Sequence, residues 1–385
     1  MPDASDRRQF LNRRQENDLL RARRPVEERK SGELRQNGQA MVDFSSNDYL
    51  GLTSHPALLA AARRALDRFG TGSGASRLMS GDLDIHHELE QATAHFKNKE
   101  AALLINSGYQ ANTGLIPSLA GRHDAIFADR LCHASLIDGA LLSRARLFRF
   151  RHNDAEHLDG LLKAHRTEYE NALIITESVF SMDGDLAPLP DLVQLKDRHS
   201  GELLVDEAHA TGIFGSNGAG YLEQLGLSGR VEFIMGTFSK ALGGFGAYVA
   251  ATRADIEYLV NAMRSFIYST ALPPSVVASD LAAIELCRKG KTGGDELLQR
   301  ARRFREDLES RGLRVRGESQ IVPVMIGEST WALDAGEKLM EQGFRVVPVR
   351  PPTVPSGQAR LRISLSTAHT DQQIQDLTEA LCGIL

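Results

Sequence analysis

The chain has only three cysteines in 385 residues, Cys132, Cys287 and Cys382, and no two of them stand in C-x-x-C spacing. An odd set without paired spacing argues against a disulfide framework and against a zinc knuckle. It fits small buried residues in a reducing cytoplasm. The chain also lacks an excess of positive charge. Its formal net charge of −5 gives no electrostatic reason to expect a nucleic acid or an anionic membrane as partner. Long hydrophobic runs are missing too, and none approaches the roughly 18 apolar residues of a membrane span. What remains is a soluble globular profile, 42% hydrophobic and 25% charged, long enough for two domains.

The N-terminal thirty residues are rich in arginine, from Arg7 to Arg29, but Asp3, Asp6, Glu16, Asp18, Glu27 and Glu28 are interspersed. A transit peptide would be poor in acids, and no apolar h-region is present. The segment 1–45 therefore reads as an amphipathic arm. From Ala101 to Ala251, short apolar runs alternate with helix-length amphipathic stretches. The runs are Ala101–Ile105, Ala125–Ala128, Ala172–Thr176, Glu202–Val205, Phe233–Met235 and Ala247–Ala251. Such spacing predicts an α/β domain over 46–280 with a mostly parallel, doubly wound sheet. Beyond Pro273–Pro274 come helical patterns at Val276–Cys287, Glu296–Leu308, Trp331–Gln342 and Asp371–Leu381. Strand patterns follow at Ile321–Ile326, Arg345–Val349 and Leu361–Leu365. Residues 281–385 thus read as a smaller α+β domain, with a cleft expected beside the larger one.

Ligands of open parallel sheets bind beyond the carboxyl ends of the strands. The residues that follow the runs are Asn106-Ser107-Gly108-Tyr109, Glu177 to Ser181, Asp206-Glu207-Ala208-His209 and Gly236-Thr237-Phe238-Ser239-Lys240. An Asp in this position is ordinarily a helix cap, and a lone Lys an ordinary surface residue. Their conjunction is more specific. A lysine amine can carry pyridoxal phosphate as a Schiff base, and a carboxylate can hold its ring nitrogen. Asp206 lies 34 residues before Lys240, room for one crossover helix. Ser107-Gly108-Tyr109 with Thr237 or Ser239 could supply what a phosphate needs, backbone N–H groups and hydroxyls. Other classes find no support. Gly70-Thr71-Gly72-Ser73-Gly74 lacks dinucleotide spacing, no Walker or nucleophile-elbow motif occurs, and His86-His87 lacks H-E-x-x-H, so no metal site is expected.

The chain resembles the α-oxoamine synthase family of pyridoxal-phosphate enzymes, which has the type I aminotransferase-like fold. The resemblance rests on Phe44–Leu52 (FSSNDYLGL), Asp129–Ser135 (DRLCHAS), Thr176–Asp185 (TESVFSMDGD), Asp206–Gly212 (DEAHATG) and Thr237–Gly244 (TFSKALGG). It implies Lys240 as the Schiff-base lysine, Asp206 as the ring-nitrogen partner and His133 over the ring face. Ser181 and His209 would bond the ring hydroxyl oxygen. Ser107, Gly108, Tyr109 and Thr237 would flank the phosphate, with Thr270 reaching it from the other subunit of a homodimer. Asn47 and Arg362 would hold an amino-acid carboxylate, and Arg21 and Thr353 would serve the acyl substrate. The element Arg350–Pro355 (RPPTVP) resembles the biotin-pathway branch. That branch condenses L-alanine with a pimeloyl thioester, carried by CoA or by acyl-carrier protein, and releases CO₂. The alternatives are a relative using glycine and acetyl-CoA, and a non-catalytic partner subunit, in which Lys240 would be missing.

Overall fold

The computed structural model describes residues 4–290 and 292–385. The chain forms two compact units. The larger comprises Asn47–Ser181 and Asp185–Glu296, and the smaller gathers the N-terminal segment to Ser46, Met182–Gly184 and Leu297–Leu385.

A seven-stranded sheet forms the centre of the larger unit. Its strands are β1 (Ala101–Ile105), β2 (Ala125–Asp129), β3 (Arg146–Phe150), β4 (Ala172–Glu177), β5 (Glu202–Asp206), β6 (Phe233–Thr237) and β7 (Ala247–Ala251). Their order across the sheet is β1-β7-β6-β5-β4-β2-β3. β3, β2, β4, β5 and β6 are mutually parallel, while β7 runs antiparallel to both β6 and β1. Six strands therefore share one direction. Every residue of β2, β4, β6 and β7 is buried, as expected for strands covered on both faces. The core packs Leu115, Ile116, Leu136 and Ala140 from two helices onto Ile126, Ile175, Leu204 and Val249 of the sheet.

The expected strand runs all form, and β3 is the addition. Its sequence, Arg-Leu-Phe-Arg-Phe, lies at the sheet edge and buries only Phe150 fully, so its two arginines hide the apolar pattern. The larger unit also extends past the expected boundary near residue 280, to Glu296. The reason is the helix Pro274–Arg288. It packs against the helices Pro56–Phe69 and Asp84–Phe96 of the same unit and buries Val277, Ala283, Ile284 and Cys287.

The smaller unit corrects the reading of segment 1–45 as an arm throughout. Ala4–Glu16 is a helix with exposed sides, but Glu28–Lys30, Glu33–Gln36 and Gln39–Asp43 form an antiparallel meander. Its two turns, Ser31-Gly32 and Asn37-Gly38, have positive φ at both residues. This is the two-residue hairpin geometry that Asn-Gly sequences favour. The expected strand Arg345–Val349 is likewise divided. Phe344–Arg345 joins the meander in parallel with Val42–Asp43, whereas Pro348–Val349 pairs with Ala359–Ser364 in a second sheet that also holds Ile321–Gly327. Between them the Val347 N–H donates to Ser45 Oγ at 2.8 Å, so the chain leaves one sheet before it enters the other. Among the described residues no helix is long and apolar enough to cross a membrane.

Candidate active site

Because β1, β2, β4, β5 and β6 point one way, the loops after them leave the same edge of the sheet. Register keeps those ends level. Glu177 stands opposite Asp206, and Ile105 and Thr237 both stand opposite Ala247. Lys240 follows β6 by three residues and is half-buried. The turn beyond it needs Gly243, whose φ is +67° and where a Cβ would lie 2.6 Å from the Leu52 carbonyl carbon.

Lys240 Nζ lies 3.0 Å from His209 Nε2, and His209 Nδ1 lies 2.7 Å from the Tyr49 hydroxyl. Tyr49 in turn donates to Asn47 Oδ1 at 3.0 Å. A phenol has a single proton, so with that proton on the Asn47 bond the Tyr49 oxygen accepts from His209 Nδ1–H. His209 Nε2 is then the acceptor that faces the lysine amine. Asn47, expected near the substrate, and Lys240, expected at the cofactor, are thus joined through two further side chains.

Asp206 is almost fully buried at the end of β5. One carboxylate oxygen accepts the Ala208 N–H at 2.9 Å and the other accepts Asn112 Nδ2–H at 3.0 Å. His133 stands after β2 as the N-cap of the helix Ala134–Ser143. Its backbone N–H donates to Glu177 Oε1 at 2.5 Å. Desolvation lowers the His133 pKa, Asp206 opposes this, and the charge of Lys240 lowers it further. Burial, then the facing charge of Asp206, pushes the Glu177 carboxyl up to about 8.

Ser107 caps the helix Gly108–Leu119 by accepting the Gln110 N–H at 3.2 Å. Gly108 is required there, since a Cβ would lie 2.8 Å from Thr237 Cγ2. The first helical turn therefore abuts the end of β6. Thr237 Oγ1 is buried beside this turn with no partner among the described residues. A helix start beside an unsatisfied buried hydroxyl suits a phosphate, and a buried carboxylate and a lysine following neighbouring parallel strands suit the pyridine ring and aldehyde of pyridoxal phosphate. The residues present fit that cofactor. Tyr109 is exposed and hydrogen-bonds Asp138. Ser181 is half-buried in the segment after β4. Thr270 is exposed, and its carbonyl accepts from Asn106, the neighbour of Ser107, at 2.9 Å.

In the smaller unit, Arg21 Nη2 donates to Thr353 Oγ1 at 2.8 Å across 332 positions of sequence. Both line a pocket of about 470 Å³ that also contains Arg24, Arg345, Arg350 and Val346. Arg362 is buried on the strand Ala359–Ser364 and donates to Ser364 Oγ at 2.8 Å. Tyr49, Asn112, Ser135 and Glu177 were not singled out by sequence reasoning, although all four lie in or beside the quoted motifs. The available signal was a polar residue on an apolar helix face, as at Asn112 between Ala111 and Leu115, all fully buried.

The family model for aminotransferase class I and II matches residues 39–381. An 8-amino-7-oxononanoate synthase of Geobacter sulfurreducens is 47% identical over 97% of this chain and 96% of its own length. Its namesake from Anaeromyxobacter sp. (strain K) is 48% identical over 95% of this chain and 92% of its own. Among solved structures, the serine palmitoyltransferase of Sphingomonas wittichii is 33% identical, with a TM-score of 0.94 over 99% of this chain and 98% of that one. The 8-amino-7-oxononanoate synthase of Francisella tularensis is 32% identical, with a TM-score of 0.76 over 89% of this chain and 97% of that one. With the Lys240, Asp206 and His133 constellation, these likenesses lead to one conclusion: the chain belongs to the class I and II aminotransferase family of pyridoxal-phosphate enzymes, in the branch of the 8-amino-7-oxononanoate synthases.

Proposed function

We propose that this enzyme condenses L-alanine with a pimeloyl thioester, of CoA or acyl-carrier protein, to give 8-amino-7-oxononanoate, CO₂ and the free thiol in biotin biosynthesis. The observation that carries the reading is the near full-length identity of 46–48% to synthases of that name, against 33–34% to serine palmitoyltransferases. Fold likeness alone would favour the latter, but fold does not fix substrate.

Pyridoxal phosphate, when bound, supplies an electron sink for a carbanion at the amino-acid Cα. Lys240 would hold it, and the free Nζ would take the Cα proton of alanine, Cα regaining a proton once CO₂ has left. Asp206 would keep the ring nitrogen protonated. Ser107, Gly108, Tyr109 and Thr237 would hold the phosphate, with Thr270 of the second protomer in a homodimer. Ser181 and His209 would bond the ring hydroxyl oxygen. His133 would cover the ring. Asn47 and Arg362 orient the alanine carboxylate until it leaves as CO₂. Arg21 and Thr353 receive the acyl donor, whose carbonyl carbon joins Cα as its C–S bond breaks. The reaction belongs in the cytoplasm.

Mass spectrometry of products from single amino acids paired with single acyl thioesters tests this. Alanine with pimeloyl-CoA should turn over far better than glycine with acetyl-CoA or serine with palmitoyl-CoA. A preference for either of the other pairs would reassign the enzyme within its family.

A further inference from the structure

Two side chains, Ser135 and Asn112, connect the ring-covering histidine to the ring-nitrogen carboxylate. Asn112 Nδ2 donates one proton to Asp206 Oδ2 at 3.0 Å and the other to Ser135 Oγ at 2.9 Å. Ser135 Oγ lies 2.8 Å from His133 Nδ1, and the Ser135 backbone N–H donates to the same nitrogen at 3.3 Å. Asn112, Ser135 and Asp206 are all at most 5% exposed.

Proton counting gives this chain a direction. A carboxylate only accepts, so the Asn112 amide must turn its NH₂ toward Asp206. Turning it over would set two acceptor oxygens face to face. The cost of the chosen orientation is visible, because Asn112 Oδ1 is left buried without a partner. Leaving a buried acceptor unpaired is ordinarily unfavourable by about 1–3 kcal/mol, so a larger interaction must fix the amide. Since the second N–H of Asn112 occupies Ser135 Oγ, the serine proton is free for His133 Nδ1. That nitrogen then accepts from both the hydroxyl and the backbone of Ser135.

We propose that Asn112 and Ser135 are positioning residues that hold His133 as its Nε2–H tautomer, a choice dictated by Asp206. The imidazole is thereby presented to bound ligands as a hydrogen-bond donor at Nε2. Protonating it requires a proton on Nδ1, which displaces the Ser135 backbone N–H and forces the Ser135 hydroxyl to turn from donor to acceptor. The lowered pKa of His133 agrees with this arrangement. The inference rests on the reading above that His133 covers the cofactor ring.

The test is ¹⁵N NMR of the holoenzyme labelled at histidine, with the His133 signals assigned by their loss in His133→Gln. His133 should show a pyridine-type Nδ1 and a pyrrole-type Nε2. Asn112→Asp, nearly isosteric, reverses the chain: its near oxygen shares one proton with Asp206, its other oxygen accepts the Ser135 proton, Ser135 Oγ then accepts from Nδ1–H, and the histidine proton moves to Nδ1. Ser135→Ala removes the hydroxyl step while leaving Asp206 and Asn112 intact. It should mix the two tautomers and lower kcat about tenfold, with melting temperature and cofactor content near wild type. A wild-type His133 protonated at Nδ1, or a tautomer unchanged in both variants, would overturn the relay. Unchanged activity and cofactor spectrum in His133→Gln would instead remove His133 from the site, which is a failure of the underlying reading and not of the relay alone.

Discussion

The Tyr49 hydroxyl lies 2.7 Å from His209 Nδ1, although 160 positions separate the two residues. The same hydroxyl donates to Asn47, and His209 Nε2 faces Lys240 at 3.0 Å. Tyr49 therefore sets the imidazole so that a lone pair, and not an N–H, meets the lysine amine. Tyr49→Phe keeps the ring packing and deletes only the hydroxyl. One net hydrogen bond is worth about 0.5–1.5 kcal/mol, so kcat/KM should fall about threefold to tenfold while the cofactor stays bound. Steady-state kinetics with a cofactor absorbance spectrum checks this. Complete loss of cofactor would show that Tyr49 acts in binding and not in orienting His209.

Lys240 and Thr270 test assembly. In a homodimer whose sites share residues, a mixed dimer of Lys240→Ala and Thr270→Ala chains contains one site with both residues intact. Mixing the two inactive or weakened proteins should therefore restore activity as subunits exchange, followed by the rate of thiol release. If exchange is proven by mass-tagged chains and activity stays flat, each site is built within one protomer.

Most of the frame could be read from the chain because its periodicity is simple. Runs such as Ala172–Thr176 and Ala247–Ala251 are buried on both faces, so they appear as unbroken apolar stretches between turns. β3 escaped because an edge strand exposes Arg146 and Arg149. The Glu28–Asp43 meander escaped because its strands are short and charged, although Asn37-Gly38 marks one of its turns. At the site, reactive residues could be placed at strand ends, but the residues that orient them could not. Asn112 is one polar residue within a buried helix face, and only three dimensions bring it to Asp206, 94 positions away.

Glu177 gives the cofactor-free protein a pH dependence. Its carboxyl is pushed up to about 8, first by burial and then by Asp206, from an ordinary value of 4.5. Between those values the folded chain holds a proton that the unfolded chain has released. Stability must then fall as pH rises through this window and level off above it. Glu177→Gln keeps an oxygen for the His133 N–H and removes the ionisation. Melting curves of both proteins between pH 4.5 and pH 9 should diverge steadily up to about pH 8, with the variant gaining on the alkaline side. Parallel curves would mean that Glu177 is ionised in the folded protein throughout.

Arg360 and Arg362 share one face of the strand Ala359–Ser364, as residues two apart must, yet their partners differ. Arg360 is fully buried and its Nη1 lies 2.6 Å from Asp183 Oδ1. Arg362 turns one nitrogen to Ser364 Oγ, and its guanidinium fork suits the two oxygens of a carboxylate. Breaking a buried ion pair from one side typically destabilises by about 3–5 kcal/mol. Arg360→Ala should therefore lower the melting temperature markedly. Arg362→Ala should instead weaken alanine binding about 30-fold or more, because truncating one partner of a buried charged pair costs about 2–5 kcal/mol. Its cofactor spectrum should persist. Arg362→Lys should recover little of the affinity, since an ammonium cannot bind both carboxylate oxygens in the same plane. Titration with alanine, followed by the change in cofactor absorbance, separates the two arginines. An alanine-binding defect in Arg360→Ala with none in Arg362→Ala would exchange their roles and make Arg362 the structural member of the pair.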